Sequence, residues 1–235
     1  MKTSTAHRLL RLNRHFYRGF ANEFSETRKL IQPGILLALG SLGNYSSLLD
    51  LGCGDGRVLT VIRPAFTGVY QGVDCSSELL TIANTYSHPS VSFLRADLAT
   101  SGWSHQCNNM FDAAVCLSVL HHIPGHRRRL RMLCETKALV STGGRFAISV
   151  WRFRHVPRLL KKTVPWEDIG IDASAVESGD YLVDWRRGGH GLRYVHHFYE
   201  TELADLCESA GFSVIRTYRS DGKTGDMGLY IICEA

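Results

Sequence analysis

Residues 48–58 read Leu48-Leu49-Asp50-Leu51-Gly52-Cys53-Gly54-Asp55-Gly56-Arg57-Val58. An apolar run closes on an acid, three glycines follow at alternate positions, and a new apolar run begins. This predicts a buried strand, a tight turn whose backbone approaches a ligand, and the start of a helix. Glycines admit positive φ and put no Cβ in the way. The free N–H groups of the helix's first turn point back at the ligand. A second acid, Asp74, closes the apolar run Val69–Val73, eighteen residues past Gly56. An acid ending a second strand is placed to bind a ribose diol. An ordinary glycine-rich turn explains the triplet taken alone. Asp50 before it and Asp74 at this spacing favour a nucleoside-containing ligand.

Outward from this stretch, apolar runs alternate with helical patterns, which predicts a parallel sheet with helices on both faces. The strands are Ser46–Leu51, Val69–Asp74, Val91–Arg95, Phe111–Leu117 and Arg145–Trp151. Helix Ser77–Thr85 has Ser76 as its N-cap, and helix Arg127–Leu139 is expected to stop at the glycines of Ser141-Thr142-Gly143-Gly144. Residues 152–192 lack a clear period, carry Pro157, Pro165 and Gly188-Gly189, and read as an insertion or lid. A helix at Glu200–Ala210 precedes two final strands, Val214–Tyr218 and Gly228–Cys233, joined by a turn-rich linker over 220–226. The whole chain, 1–235, reads as one domain, with residues 1–40 as an N-terminal helical cap. Ligands of such sheets sit at the carboxyl ends of the strands. That singles out the glycine loop, Asp74-Cys75, Asp97-Leu98, Leu117–Ile123 and Trp151–Arg154.

Composition bounds the setting. The 235 residues are 44% hydrophobic, and no apolar run approaches the length of a membrane span. Seven cysteines, an odd number without a C-x-x-C pair, suggest buried thiols in a reducing compartment, the cytoplasm, and offer no metal site. The first 18 residues carry Lys2, Arg8, Arg11, Arg14 and Arg18 without an acid. An organellar address has that composition. A surface helix with Leu9, Leu12, Phe16 and Phe20 on one face explains it better, and no secretory signal is seen. The net charge of +5 hides an asymmetry: residues 121–162 hold eleven Lys/Arg against the single acid Glu135. Such a basic segment attracts polyanions, although charge runs are commonly just solvated faces.

The glycine spacing is G-x-G-x-G, not the dinucleotide pattern G-x-G-x-x-G. With Asp50 in front it resembles motif I of class I S-adenosylmethionine-dependent methyltransferases. The resemblance implies an α/β, Rossmann-like fold: a seven-stranded, mostly parallel sheet with helices on both faces and an antiparallel final strand. It also implies S-adenosylmethionine as cofactor. Asp50 and the loop of Gly52, Gly54 and Gly56 would hold its amino-acid end. Asp74, beside Cys75, would take the ribose hydroxyls, and Asp97, beside Leu98, the adenine amino group. Leu117 would close the site from the fourth strand. Ser118-Val119-Leu120-His121-His122-Ile123-Pro124 resembles the segment after strand four of many small-molecule methyltransferases.

Two further patches are similar to the tRNA wobble-uridine carboxymethyl methyltransferases. One is Phe16-Tyr17-x-x-Phe20-Ala21-x-x-Phe24-Ser25-x-Thr27-Arg28. The other is Arg193-Tyr194-Val195-His196-His197-Phe198, followed by Glu202-Leu203. Each residue alone is explained by packing or exposure; their joint order carries the resemblance. Residues 152–185 and the turn Asp221–Asp226 depart from the pattern. In that family the acceptor is a carboxylate, ionised at neutral pH, so no general base is needed. The resemblance then implies Arg28 and Arg193 as carboxylate or phosphate contacts. Trp151 and Tyr194 would stack on an extruded base, with His197 at the substrate and His121 at the methyl-transfer site. The basic segment 121–162 would grip the tRNA backbone, and a small activator subunit is a further implied partner. The main rival is a small-molecule O- or N-methyltransferase with a base among His121, His122, His196 and His197. A non-catalytic binding subunit is a third class, disfavoured by the intact Asp50, glycine triplet, Asp74 and Asp97.

Overall fold

The acid-terminated apolar run forms the strand on which the fold is centred. In the computed structural model, which describes residues 1–27 and 30–235, β1 (Ser47–Leu51) lies between two parallel neighbours, β2 (Val69–Asp74) and β4 (Phe111–Leu117). With β3 (Val91–Arg95), β5 (Val140–Trp151), β9 (Ser213–Ser220) and β10 (Gly228–Glu234) they make a seven-stranded sheet in the order β3-β2-β1-β4-β5-β10-β9. β10 runs antiparallel to both of its neighbours. Strand order reverses between β1 and β4, so a crevice opens there at the carboxyl edge, where ligands of such sheets bind.

Both faces of the sheet are covered, which explains why its central strands are almost continuously apolar. Successive side chains point to opposite faces. Leu49, Ala114, Cys116 and Ile148 pack on one side under α6 (His126–Lys137) and α8 (Glu200–Ser209). Leu48, Ala113, Val115 and Ala147 pack on the other under α3 (Pro33–Gly40) and α4 (Arg57–Ile62). α5 (Ser77–Ala83) starts as expected, with the Ser76 hydroxyl accepting from the Leu79 N–H at 3.2 Å. It ends two residues early, in a 3₁₀ turn over Asn84–Tyr86.

Two expectations are corrected. Gly143 and Gly144 do not cap α6, which stops at Lys137. They lie inside β5, where the Gly143 N–H donates to the Ala235 carbonyl at 2.8 Å and Gly144 accepts from the Ala235 N–H at 2.9 Å. The glycines lie where the register of β5 against β4 shifts and where Ala235 closes on the strand. Residues 152–192, read as having no period, hold regular structure: α7 (Pro157–Leu160), β6 (Thr163–Val164), β7 (Asp180–Trp185) and the start of β8 (Gly191–His196). The three strands form an antiparallel sheet in the order β6-β7-β8. Its alternation is hidden because both faces are buried. Tyr194 packs with Leu9 and Ile171 on one side; Val183 and Val195 pack with Phe153 on the other.

The N-terminal region folds as α1 (Thr3–Gly19) and α2 (Ala21–Glu26) before α3. Buried Asn13 fastens α1 to the rest. Its amide donates to the carbonyls of His122 (3.0 Å) and Tyr194 (3.2 Å), and its oxygen accepts from the Tyr194 N–H (2.8 Å). Among the described residues no helix is long and apolar enough to cross a membrane.

Candidate active site

A cleft of about 1090 Å³, counting its open mouth, lies at the carboxyl edge over β1, β2 and β4. Its floor is the glycine loop. Gly52 has φ 73°, and a Cβ there would stand 2.3 Å from a Val119 methyl, so both conformation and space demand glycine. Gly54, φ 56°, would bring a Cβ into no more than ordinary contact with Leu79 at 4.0 Å, and its N–H donates to Asp74 Oδ2 at 2.9 Å. Gly56 does not line the cleft. It begins α4, and a Cβ there would press on the Ala83 methyl at 3.3 Å.

The three acids meet in this cleft. Asp74 is held by the N–H groups of Gly54 and Ser76, the latter at 2.8 Å to Oδ1. Burial raises its pKa, and those N–H bonds oppose the rise. Asp50 is 2% exposed and accepts the Tyr70 hydroxyl at 2.7 Å. Burial pushes its pKa up to about 7, against the Tyr70 bond, so it is poised to gain from a cationic group set beside it. Asp97 accepts from the Ala99 N–H at 2.9 Å and from the guanidinium of Arg14, which α1 lays across it. Cys75, Leu98 and Leu117 line the walls. The Cys75 thiol is pushed up to about 12 by burial and the Cys53 thiol well above its usual value, so neither is a nucleophile. Ser118 holds φ 62°, a strained conformation without glycine, fixed by its N–H on the Ser149 carbonyl (3.0 Å) and hydroxyl (3.1 Å).

Sequence reasoning passed over the wall supplied by α1. Leu10, Asn13, Arg14 and Tyr17 line the cleft, and their i, i+3, i+4, i+7 spacing puts them on one helical face. Polar residues on the inward face of an amphipathic helix were the available signal. His121, expected at the methyl-transfer site, is fully buried with its ring tilted against Trp151 (centroids 4.8 Å), whereas His122 lines the cleft. His122 Nε2 meets the Tyr17 hydroxyl at 2.8 Å and Nδ1 the Tyr194 carbonyl at 3.0 Å. A carbonyl accepts only, so the proton sits on Nδ1 and the Tyr17 hydroxyl donates to Nε2.

Behind His122 lies a second arrangement. Arg193 is 4% exposed, and its guanidinium sits over the rings of Phe16 (4.6 Å), Trp185 (5.1 Å) and Trp151 (5.4 Å). Its Nε and Nη1 have no hydrogen-bond acceptor among the described residues. Tyr194 does not join it. Adjacent residues of a strand face opposite ways, and the Tyr194 ring is fully buried with its hydroxyl on Asp180 at 2.7 Å. It cannot stack on a ligand held by Arg193. His197 is buried beyond β8, near His155 and Tyr199. Arg28 lies outside the described residues.

The basic segment is also less free than its composition suggests. Arg129 is 1% exposed and pairs with Glu177 at 2.8 Å. Arg131, Arg145 and Arg152 pair with Glu135, Glu234 and Asp226. Three of these four acids come from outside the segment, so its charge is partly cancelled by the fold.

The residues present fit S-adenosylmethionine. A poised buried carboxylate suits an ammonium, a backbone-held carboxylate suits a diol, and the glycine turn lets backbone approach. Comparisons agree. The methyltransferase-domain family matches residues 20–217. A tRNA (carboxymethyluridine(34)-5-O)-methyltransferase of Arabidopsis thaliana is 33% identical over 135 residues, 57% of this chain and 31% of that protein. The chain therefore spans about a third of that relative's length. The protein of the same description from Schizosaccharomyces pombe is 26% identical over 218 residues, 85% of this chain and 87% of that one. Among solved structures, a putative methyltransferase of Haloferax volcanii in complex with the Trm112 methyltransferase activator has a TM-score of 0.68 at 15% identity, covering 94% of this chain and 96% of that one. The family match spans well over half of the chain, so the chain belongs to the methyltransferase-domain family.

Proposed function

We propose that this enzyme methylates a carboxylate on a modified wobble uridine of tRNA, forming a methyl ester. The observation that carries the reading is Arg193, a buried guanidinium caged by three aromatic rings, with two nitrogens lacking acceptors among the described residues. A buried cation in that state is completed by a planar anion, and a carboxylate matches the guanidinium fork. The relatives named for carboxymethyluridine methylation support the same acceptor.

S-adenosylmethionine supplies an electrophilic methyl group on a sulfonium. Asp50, Asp74 and the loop at Gly52–Gly54 hold it in the cleft, and we assign Asp97, already engaged by Arg14, to its adenine end. Arg193 orients the acceptor carboxylate, with the Trp151 and Trp185 rings as the aromatic walls beside it. One carboxylate oxygen bonds to the methyl carbon as the carbon–sulfur bond breaks, and the sulfur keeps the electron pair. No proton moves, so positioning supplies most of the acceleration. The histidines fit this economy. His122 has both ring nitrogens engaged and His121 is buried, so neither is arranged as the base that a hydroxyl or amine acceptor requires.

The seven free thiols suit a reducing compartment, and we place the reaction in the cytoplasm. A small activator subunit, as in the Haloferax complex, belongs to the proposal; the open edge of β3 is its place, with exposed Val69 at the start of the adjacent β2. The deciding experiment is methyl transfer from labelled cofactor to tRNA with and without carboxymethyluridine, with and without such a subunit. Base-labile label confined to the carboxymethylated tRNA is expected. Label in small acids with none in tRNA would overturn the reading.

A further inference from the structure

Past Trp151 the chain turns through Arg152, Phe153, Arg154 and His155, and meets His197 one residue beyond β8. His197 is 1% exposed, and its backbone N–H is fixed on the Gly179 carbonyl at 2.7 Å. Its Nδ1 faces the Arg154 backbone N–H at 3.5 Å. That neighbour can only donate, so the ring proton sits on Nε2. Nε2 has no hydrogen-bond partner among the described residues. A buried donor without an acceptor costs about 1–3 kcal/mol, and a fold that keeps one has a use for it.

The neighbours of this ring are exposed, and one of them, Arg154, is a cation. The His155 ring stands 5.6 Å from the His197 ring, and the Tyr199 ring 5.0 Å. Arg154 Nη1 donates to the Tyr199 hydroxyl at 2.7 Å, and among the described residues no carboxylate pairs with Arg154. Its neighbours Arg152 and Arg219 are already neutralised by Asp226 and Glu200, each at 3.0 Å. Burial, then Arg152, Arg219 and Arg154, hold the His155 pKa below its usual value, although Asp226 opposes them. His197 is pushed down to about 4, first by burial and then by His155 and Arg154. One cation without a carboxylate partner, Arg154, thus stands beside a buried donor without an acceptor, which is the chemistry of an anion site.

We propose that Arg154, His155, Tyr199 and His197 form a phosphodiester subsite for the backbone of the polynucleotide acceptor, with His197 Nε2–H as its buried donor. The subsite rests on the tRNA reading above. Arg154 and His155 follow Trp151, whose ring lies against the Arg193 guanidinium, by three and four residues past the carboxyl end of β5, so an acceptor held at Arg193 has its backbone near them. Within the basic segment, the subsite replaces a diffuse charge effect by one defined contact.

The test is nitrogen-15 NMR of the histidine rings in the full chain, titrated with inorganic phosphate or the dinucleotide uridylyl-uridine. The dinucleotide is expected to move the His155 and His197 signals and to raise the His155 pKa. His197→Phe is expected to weaken it about tenfold, the weight of one hydrogen bond to a charged group, and His197→Gln to recover part of the loss. Ring signals that ignore the dinucleotide overturn the subsite, and so does a response to inorganic phosphate alone. If His197→Phe does not fold, the wild-type titration still decides. Wild-type protein that methylates tRNA with unresponsive rings loses the subsite and keeps the proposed function. Responsive rings with no tRNA methylated keep the subsite and lose the function.

Discussion

The two halves of the active site are built in different ways. The cofactor half is mostly backbone. Gly52, Gly54 and Ser76 use N–H groups and permissive dihedrals, and each acid stands at or just past a strand end within a few residues of its turn. The proposed acceptor half is side chains from remote parts of the chain: Phe16 from α1, Trp151 from the end of β5, Trp185 and Arg193 from the small sheet. A backbone site is encoded in a short stretch and tolerates little change. A side-chain site is assembled by packing, and it can take a new acceptor without disturbing the cofactor.

The comparison breaks most decisively at Asp74. Asp74→Ala removes the proposed diol contact and the acceptor for the N–H groups of Gly54 and Ser76. Cofactor affinity should fall by about 10²–10³-fold, read by calorimetry as loss of the heat of binding and by loss of the cofactor's thermal shift. Retained binding would mean the loop does not work through this carboxylate.

Arg193→Lys should sharpen the division. A lysine keeps the charge but not the fork, so kcat/KM for the tRNA should drop about 30- to 100-fold while the cofactor dissociation constant stays unchanged. A parallel loss of cofactor binding would show that the halves are not separable.

The next effect is a pH dependence confined to the cofactor half. Burial pushes the Asp50 pKa up to about 7, and in the proposed role it would hold an ammonium only as carboxylate. Cofactor affinity should therefore rise with pH, about tenfold per unit below 7, and level off above it. Titration calorimetry at pH 6 and pH 8 measures this, and Asp50→Asn should flatten the curve.

The smallest effect belongs to the support of the acceptor half. His196 lies between Asp180 (2.7 Å) and Glu202 (2.9 Å), so both ring nitrogens donate. Burial lowers its pKa, but these bonds prevail and the net change is upward. A folded-state pKa above the unfolded value adds stability below about pH 6.5 and loses it as pH rises through the folded pKa, a tenfold gain in proton affinity being worth about 1.4 kcal/mol. The melting temperature should fall between pH 6 and pH 8.5, and His196→Gln should lessen that fall.

The same division governs what could be read in advance. Asp50, Asp74 and the glycine turn were legible because strand period and turn chemistry are local. His121 and Tyr194 were expected beside His122 and Arg193, but a neighbouring position on a strand or a tight turn faces another way, and the fold buries both. The cations of 121–162 looked like one patch because Glu177, Glu234 and Asp226, which neutralise Arg129, Arg145 and Arg152, lie elsewhere in the sequence.

By itself the sequence determined the doubly covered sheet and the crevice beside β1, since apolar period, glycine spacing and strand-end acids act over a few residues; the methyl donor came from the family resemblance of that stretch. Only the tertiary structure decided that α1 walls the cleft, that Arg193 rather than Tyr194 enters the aromatic cage, and that the His197 side chain is buried beside Arg154 and His155. Those outcomes depend on which side chains meet across long stretches of chain, and packing settles that only once every element is in place.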